Sequence, residues 1–422
     1  MSSKSRSKMA IRHHLSKNIF FPFILLFFGT IQAQNIDNLS IDLQFKDSIL
    51  KINALYKLNV KENSDAKYFL LNPGVDSLSI KGESLDGFEM SGKPNRPLPF
   101  WKLNFNRELK EGETVDIQFN YQIELTKQNH IKSNWIELNV DKLWFPNHND
   151  LNNKFTYVAS VSGLPKDYSL IGNMEANIDT SNPNKILIKK EIPDMEVLIF
   201  AGKDMTFWKP NSASPITFFV SQQTPDSILN SIHKKVKKSI ELMNSTFGKS
   251  SPIKDFRVVL RNTTRDEIGF QFNRKNMIIT GSDFDSYGNI SHEIAHFWWA
   301  DANFIEEPWL NESFANYSMF LVQEQYDKND FEATYKRYSE KVISAPAVGN
   351  ATLFSENSYD AYYIKGCILL KKLEDTIGKT KMLELLELRV REKINTTSEF
   401  LDGLEQIADT KTRQLFEKML QD

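Results

Sequence analysis

The sequence predicts an α+β protein of more than one domain, in which an antiparallel β sandwich or saddle precedes a mainly helical domain. Short runs of alternating apolar and polar residues fill the stretch from about residue 37 to 208. Beyond a segment rich in Pro and Ser at 209–215, apolar residues recur at the helical period. The 422 residues are enough for two or three domains of about 100–200 residues each.

The first 33 residues have the pattern of a secretory signal peptide. Five basic residues and no acidic ones accompany an apolar stretch from Ile19 to Phe28, and Ala33 precedes Gln34. The apolar stretch is shorter than the roughly 20 residues that a membrane span requires. We therefore expect an exported chain, periplasmic or extracellular, without a transmembrane span once residues 1–33 are removed. An uncleaved N-terminal anchor is the alternative.

Composition excludes several classes of protein. The chain is 41% hydrophobic and 25% charged, as is typical of a folded domain and not of a disordered one. Its net charge is −2, and it becomes −7 when the five basic residues of the signal segment are removed, so no basic surface for nucleic acid is expected. The single cysteine, Cys367, excludes an internal disulfide and a Cys-based metal cluster, and we interpret it as a buried core residue.

The N-terminal domain is predicted to span residues 34–208. Period-two alternation of β-branched and aromatic residues, as in 50–56, 115–121 and 155–161, indicates strands. Turn sequences such as Asn72-Pro73-Gly74 separate these runs, and their regular spacing indicates a sandwich or saddle.

A linker at 209–216 and a catalytic domain at 217–422 are predicted to follow. Apolar residues at helical spacing predict a helix from Asp226 to Phe247. Two short apolar runs, 256–260 and 277–280, predict strands, and the remainder of the chain is predicted to be mostly helical.

The segment His292-Glu293-Ile294-Ala295-His296 is an HExxH motif within a predicted helix. Residues four apart lie on one face of a helix, so the two imidazoles can share a zinc ion. Glu293 lies beside them, where a carboxylate can activate a water molecule for hydrolysis.

A third metal ligand is expected on the next helix, which Pro308 is predicted to begin. Glu312, with fifteen residues between it and His296, is the candidate. Glu306 and Glu307 compete with it, although both precede the helix in a loop, where side-chain direction is less controlled.

Three motifs in order resemble those of the gluzincin aminopeptidases, the family of alanyl aminopeptidase and leukotriene hydrolase. They are HEIAHFW at 292–298, WLNESFA at 309–315 and YIKG at 363–366. The resemblance implies a thermolysin-like catalytic domain with one zinc ion held by His292, His296 and Glu312. It also implies that Glu293 is the general base and that Tyr363 hydrogen-bonds the developing oxyanion, although Tyr359 and Tyr362 are available for the same position.

The resemblance extends toward the N-terminus with weaker motifs. Residues 143–146, LWFP, look like the end of the family's β domain, and Glu137 stands where the family has a Glu or Gln that helps to hold the substrate's amine. The family's GxMEN motif corresponds to Gly269, Phe270, Gln271, Phe272 and Asn273. We expect Gly269, Phe270, Gln271 and Phe272 to line the cleft as an edge with which substrate backbone can pair.

Three departures from the family bear on function. Phe272 stands where the family has its amine-binding glutamate, and Glu267, five residues away, is a candidate to take that glutamate's place. The loop between His296 and Glu312 is shorter than the family's. We also expect the helical domain that usually caps the family's cleft to be missing. An open cleft would admit longer or folded peptides, unless a partner or a second copy covers it. We therefore expect an exported zinc metallopeptidase, aminopeptidase-like, acting on peptides or proteins. The alternatives are an endopeptidase of the same fold, a zinc-containing peptide-binding protein without turnover, or a non-peptide substrate such as an epoxide.

Overall fold

The structure is a computed structural model that describes residues 36–422, except 47, 92–99, 125–130, 133, 149–152, 183, 263–270, 283–284 and 352–354. The predicted signal peptide, residues 1–33, therefore lies outside the described residues. The chain from Ile36 to Asp422 forms one compact unit.

The N-terminal part of this unit consists of strands, as the alternating sequence predicts. Their bounds are β1 Asp37–Lys46, β2 Ile49–Asn59, β3 Ser64–Leu70, β4 Val75–Gly82, β5 Leu85–Ser91, β6 Phe100–Leu109, β7 Thr114–Glu124, β8 Ile131–Lys132, β9 Trp135–Leu138, β10 Asn147–His148, β11 Phe155–Ser162, β12 Tyr168–Gly172, β13 Asn177–Asn182, β14 Lys185–Asp194 and β15 Ile199–Lys203. Along β1 and β2 every second residue is buried, because successive side chains of a strand point to opposite faces of the sheet.

These strands form three sheets among the described residues. Their orders are β13-β14-β11-β1-β2-β7-β4, β10-β3-β6-β5 and β12-β15-β9-β8. The prediction of purely antiparallel pairing is wrong at one place, because β1 and β11 pair in parallel. These strands are separated by more than a hundred residues, and local alternation carries no information on the direction in which distant strands pair.

A fourth sheet lies in the C-terminal part of the unit. Its strands are β16 Met205–Trp208, β17 Ile216–Ser221, β18 Phe256–Leu260, β19 Phe272–Asn273 and β20 Met277–Thr280, in the order β16-β17-β18-β20-β19. The segment predicted as an interdomain linker, 209–216, instead joins β16 and β17, which pair antiparallel. Pro and Ser mark a turn in either setting, so composition alone does not distinguish a hairpin loop from a linker.

Helices make up most of the remaining C-terminal part, as predicted. They are α1 Asp226–Thr246, α2 Tyr287–Ala295, α3 Pro308–Tyr326, α4 Lys328–Lys341, α5 Gly366–Ile377, α6 Lys379–Glu392, α7 Thr397–Ile407 and α8 Thr410–Gln421, with a π-helix at Asp360–Lys365. Within the described ranges, no helix combines the length and the apolar character that a membrane crossing requires.

An apolar cluster connects the third sheet with the fourth. It includes Trp135 of β9, Phe200 of β15, Val259 of β18 and Ile279 of β20, and Phe272 packs against it. Helices α2 and α3 belong to a separate core that packs on the fourth sheet. As a result, the ends of β9 and β18 are brought close to the helix that carries the HExxH motif.

Candidate metal centre and the adjoining arginine wall

The two histidines of the HExxH motif lie at the C-terminal end of α2: His292 is within the helix, and His296 directly follows its last residue. This helix begins after Ser286, whose hydroxyl accepts a hydrogen bond from the amide of Asn289 at 3.2 Å, a typical N-cap. The Nε2 atoms of His292 and His296 are 3.2 Å apart, as the four-residue spacing predicts. Glu293, between them in sequence, is 7% exposed.

Glu312 of α3 completes a triangle with these histidines. Its Oε2 lies 3.5 Å from Nε2 of His292 and 3.4 Å from Nε2 of His296. Four-coordinate zinc with bonds of about 2.0–2.2 Å places its ligand atoms roughly 3.3–3.5 Å apart. The three distances between the ligand atoms therefore match those expected for a tetrahedral zinc site with one position left open.

The side chain of Glu312 supplies a second sign of a metal site. Helix α3 is buried along most of its length, and its buried polar side chains Asn311, Ser313 and Asn316 all hydrogen-bond to the protein. By contrast, Oε2 of Glu312 is buried without a hydrogen-bond donor among the described residues, as is Oε1 of Gln323 farther along the helix. A buried carboxylate oxygen without a donor is costly, and a cation between it and the two imidazoles would offset that cost.

The competing glutamates in the preceding loop have other partners. Glu307 accepts hydrogen bonds from the amide and the hydroxyl of Thr397 at 3.0 and 2.5 Å. Glu306 is exposed and accepts from the side-chain amide of Asn303 at 3.3 Å. Among the described residues, the one cluster with the arrangement of a metal site is His292, His296 and Glu312.

Both histidines are oriented by partners on their other ring nitrogen. Nδ1 of His292 lies 2.8 Å from Oδ1 of Asn316, and Nδ1 of His296 lies 3.1 Å from the carbonyl of Trp299. In a neutral imidazole each acceptor favours the proton on Nδ1, which would leave the Nε2 lone pair for a metal. The sequence reasoning did not identify Asn316, although it stands four residues after Glu312 and therefore on the same face of α3.

Burial and charge shift the protonation of this cluster. Burial, together with the charge of His296, lowers the pKa of His292 to about 4. Burial also acts to lower the pKa of His296, but the adjacent Glu312 carboxylate raises it to about 9. Burial raises the pKa of Glu293 to about 7, and the charge of Glu312 adds to this shift. A carboxyl group with a pKa near 7 can both take up and release a proton at neutral pH.

Tyr363 lies on the π-helix and faces the same cluster. Its ring stacks on His292 with centroids 5.9 Å apart. Burial, together with the charge of Glu312, raises the pKa of its phenol. On its other side it stacks on Tyr359, at 4.3 Å between centroids. Tyr362, which the sequence left as an alternative, is buried in the core of the helical part. Of the three tyrosines, Tyr363 is the one whose ring stacks on a histidine of the cluster.

Glu137 is buried and already has protein partners. Its Oε2 accepts from Nε of Arg261 at 2.8 Å and from the indole of Trp135 at 2.9 Å. Its Oε1 accepts from Nη2 of Arg261 at 2.9 Å. The predicted contact of Glu137 with a substrate amine would therefore have to displace a bidentate arginine.

Only part of the predicted cleft edge falls within the described residues, because Gly269, Phe270 and Glu267 lie outside them. Gln271 donates from its side chain to the carbonyl of Asn289 at 2.9 Å, which connects this segment to α2. Phe272 lies in β19, the last strand of the fourth sheet as described, and pairs with Ile279.

A second buried ion pair lies beside Phe272. Arg274 donates from Nε to Oε1 of Glu196, and its Nη2 lies 3.5 Å from Oδ2 of Asp141. The guanidinium carbon of Arg274 is 4.5 Å from the centroid of the Phe272 ring, and that of Arg261 is 5.6 Å from it. We call Phe272, the two arginines, Glu137 and Glu196 the arginine wall. The sequence analysis singled out Glu137 and Phe272 but not their arginine partners, because the ion pairs join residues 78 and 124 positions apart.

The fold is similar to that of solved zinc metallopeptidases. An M1 zinc metallopeptidase from Deinococcus radiodurans has a TM-score of 0.65 at 14% identity, over 91% of this chain and 93% of that chain. A mutant of that enzyme bound to a Tyr-Ser-Ala substrate has a TM-score of 0.64 at 14% identity, over 92% and 94%. Leukotriene A4 hydrolase from Saccharomyces cerevisiae has 0.64 at 15% identity, over 91% of this chain and 66% of that chain. No protein-family model and no curated protein matches the sequence.

Proposed function

We propose that the chain is a zinc-dependent metallopeptidase that hydrolyses peptide bonds with a water molecule as nucleophile. The observation that carries the proposal is Oε2 of Glu312, which is buried without a donor and lies 3.4–3.5 Å from the Nε2 atoms of His292 and His296. The fold likeness supports it, because the similar structures are named as zinc metallopeptidases and one of them holds a peptide substrate.

The residues around this centre can divide the work of hydrolysis. Zinc, when bound, supplies a Lewis acid that lowers the pKa of water and polarises a carbonyl. Glu293 would take the proton from the attacking water and pass it to the leaving amine, for which a pKa of about 7 is well matched. Tyr363 would donate its phenolic hydrogen to the substrate's carbonyl oxygen as negative charge develops there.

The direct test compares the zinc-loaded chain with its Glu293→Gln variant. Both are incubated with a mixed peptide pool and analysed by mass spectrometry, and their zinc content is measured by elemental analysis. We expect the variant to keep one zinc per chain and to lose at least about a hundredfold in turnover, since it cannot accept the proton. Glu306→Gln is the matched control, because Glu306 is an exposed glutamate outside the cluster.

Two outcomes would count against the proposal in different ways. A zinc-loaded Glu293→Gln variant that turns over peptides like the unmodified chain would show that the assigned base is wrong. An unmodified chain that holds zinc and binds peptides without cleaving any would favour the peptide-binding protein instead.

We also propose that the chain acts outside the cytoplasm. The support is the signal-peptide pattern of residues 1–33, with its basic start, apolar stretch and Ala33 before Gln34. N-terminal sequencing of the chain recovered from outside the cytoplasm should begin at Gln34, whereas an intact N-terminus in a membrane fraction would indicate an anchor.

A further inference from the structure

The two carboxylates of the arginine wall, Glu137 and Glu196, are each already paired with an arginine. Glu137 and Arg261 are both 2% exposed at the side chain and form a bidentate pair. Glu196 is 3% exposed and pairs with Arg274, which is 25% exposed. Removing one partner of a buried pair is strongly destabilising, because it leaves an uncompensated charge. Neither carboxylate is therefore readily available to a cation from a substrate.

The ring of Phe272 is also already in contact with cations. An aromatic ring can attract an ammonium group when the cation lies within about 6 Å of its centroid. The guanidinium carbons of Arg274 and Arg261 are at 4.5 and 5.6 Å. The ring of Phe272 is therefore already in contact with two guanidinium groups, which leaves less of its face available to a substrate ammonium.

The wall is joined to the helix that carries the HExxH motif. Phe272 lies in β19, and the side chain of the residue before it, Gln271, donates to the carbonyl of Asn289 on α2 at 2.9 Å. Asn289 lies about one helical turn before His292. The wall therefore lies beside the substrate cleft that the proposed function places at this helix.

We infer that this cleft takes substrates in which the nitrogen of the residue preceding the scissile bond is acylated, and does not select for a free α-ammonium group. The inference rests on the proposed function and specifies its substrate class. A neutral amide needs no free carboxylate as a partner, and its carbonyl oxygen can accept a hydrogen bond from the partly exposed Arg274. Acylated nitrogen occurs at internal peptide bonds and at blocked N-termini.

The first experiment measures binding and does not depend on turnover. Three peptides of identical sequence around the scissile bond are titrated into the zinc-loaded Glu293→Gln variant by calorimetry. One has a free amino terminus, one is N-acetylated, and one is extended by three residues at its N-terminus. We expect the acetylated or the extended peptide to bind at least as tightly as the free one. Tighter binding of the acetylated peptide would identify a blocked terminus as the preferred source of the amide, and tighter binding of the extended peptide would identify an internal bond.

Preferential binding of the free peptide by tenfold or more would overturn the inference. Such a ratio corresponds to about 1.4 kcal/mol, which is the scale of a hydrogen bond to a charged group. Peptide hydrolysis by the unmodified zinc-loaded chain is measured separately. Failure to cleave any of the three peptides would count against the proposed function, whereas the binding ratio alone decides the inference on substrate class.

A second experiment tests whether the arginine wall sets this ratio. Arg274→Gln removes the partly exposed cation and releases Glu196, so the affinity for the free peptide relative to the acetylated one should rise by about tenfold. Lys275→Gln is the matched control: it removes the adjacent positive charge, which is 50% exposed and pairs with Asp194 at 3.8 Å. An unchanged ratio in Arg274→Gln, or an equal rise in both variants, would overturn the role of the wall.

Glu267 provides a further control. It lies outside the described residues, so its glutamine variant is included in the same titrations. A strong preference of the Glu293→Gln chain for the free peptide that disappears on Glu267→Gln would assign amine recognition to Glu267 and overturn the inference.

Discussion

Gly366, in the YIKG segment, is the position where one added methyl group should disturb the candidate site most clearly. A Cβ at this position would lie 2.0 Å from Oγ and 2.9 Å from Cβ of Ser313, against about 3.5–4.0 Å for an ordinary carbon contact. Ser313 cannot move without losing its hydrogen bond to the carbonyl of Tyr362. The residue after Tyr362 is Tyr363, so displacement of this segment would move the phenol away from His292.

The expected loss of stability follows from three terms. Overpacking a buried site costs about 1–3 kcal/mol. The lost hydrogen bond of Ser313 costs about 1 kcal/mol. Replacing Gly by Ala within a helix stabilises the helix by about 1 kcal/mol, which offsets part of this loss. We therefore expect Gly366→Ala to lower the free energy of unfolding by about 2 kcal/mol and to lower kcat as well.

Urea unfolding of four zinc-loaded chains measures this effect: the unmodified chain, Gly366→Ala, Ser313→Gly and the double variant. Ser313→Gly removes both clashing atoms, so the double variant should be more stable than the sum of the single losses by about 1–2 kcal/mol. Gly87→Ala is the control for the exchange itself, because its added methyl meets no atom within 4 Å. Losses that add within about 0.5 kcal/mol would refute the steric explanation.

Two further substitutions test the groups around the metal ligands. Asn316→Ala should weaken zinc binding by about 10–100-fold, because Nδ1 of His292 loses its acceptor at 2.8 Å, whereas Asn316→Asp keeps an acceptor and should retain most of the affinity. Competition with a chromogenic chelator measures both, and equal affinities for the Ala variant and the unmodified chain would contradict the orienting role. Tyr359→Ala should lower kcat by about threefold to tenfold, because Tyr363 loses the ring stacked on it at 4.3 Å, whereas Tyr359→Phe should not. Steady-state kinetics distinguishes the two, and equal losses would exclude stacking as the cause.

The metal centre could be predicted from the sequence because its geometry is mostly local. The spacing of His292 and His296 on one helix determines which face both imidazoles occupy, and α2 is observed where the sequence predicts it. The assignment of Glu312 required a choice among three glutamates. The predicted helix start at Pro308 favoured Glu312, and in the structure Glu312 is the one that lies with both histidines. The division into a β-rich and a helical part was predictable for the same reason, since each residue pattern reports the local backbone period.

The parts that the sequence did not predict depend on distant pairing. The parallel neighbours β1 and β11, and the hairpin that joins β16 to β17, are set by which strands meet, and alternation does not contain that information. Asn316 is an intermediate case, because its position on the face of Glu312 is local but its partners, His292 and the carbonyl of Tyr363, come from two other elements.

Glu137 shows how partners from distant strands bear on a role that is inferred from sequence. Its place next to the end of β9 could be read from the sequence, and a carboxylate there is suited to an ammonium group. However, its partner Arg261 comes from the end of β18, 124 residues away, and satisfies both of its oxygens. Phe272 is a similar case, because it is an apolar residue in sequence but lies near two guanidinium groups in space. If the proposed function holds, the residues that would bind zinc lie within and at the ends of two neighbouring helices, whereas the groups proposed to meet the substrate's amino end are set by ion pairs between distant strands. Substitutions in those ion pairs would then alter specificity without any change in the residues proposed to carry out hydrolysis.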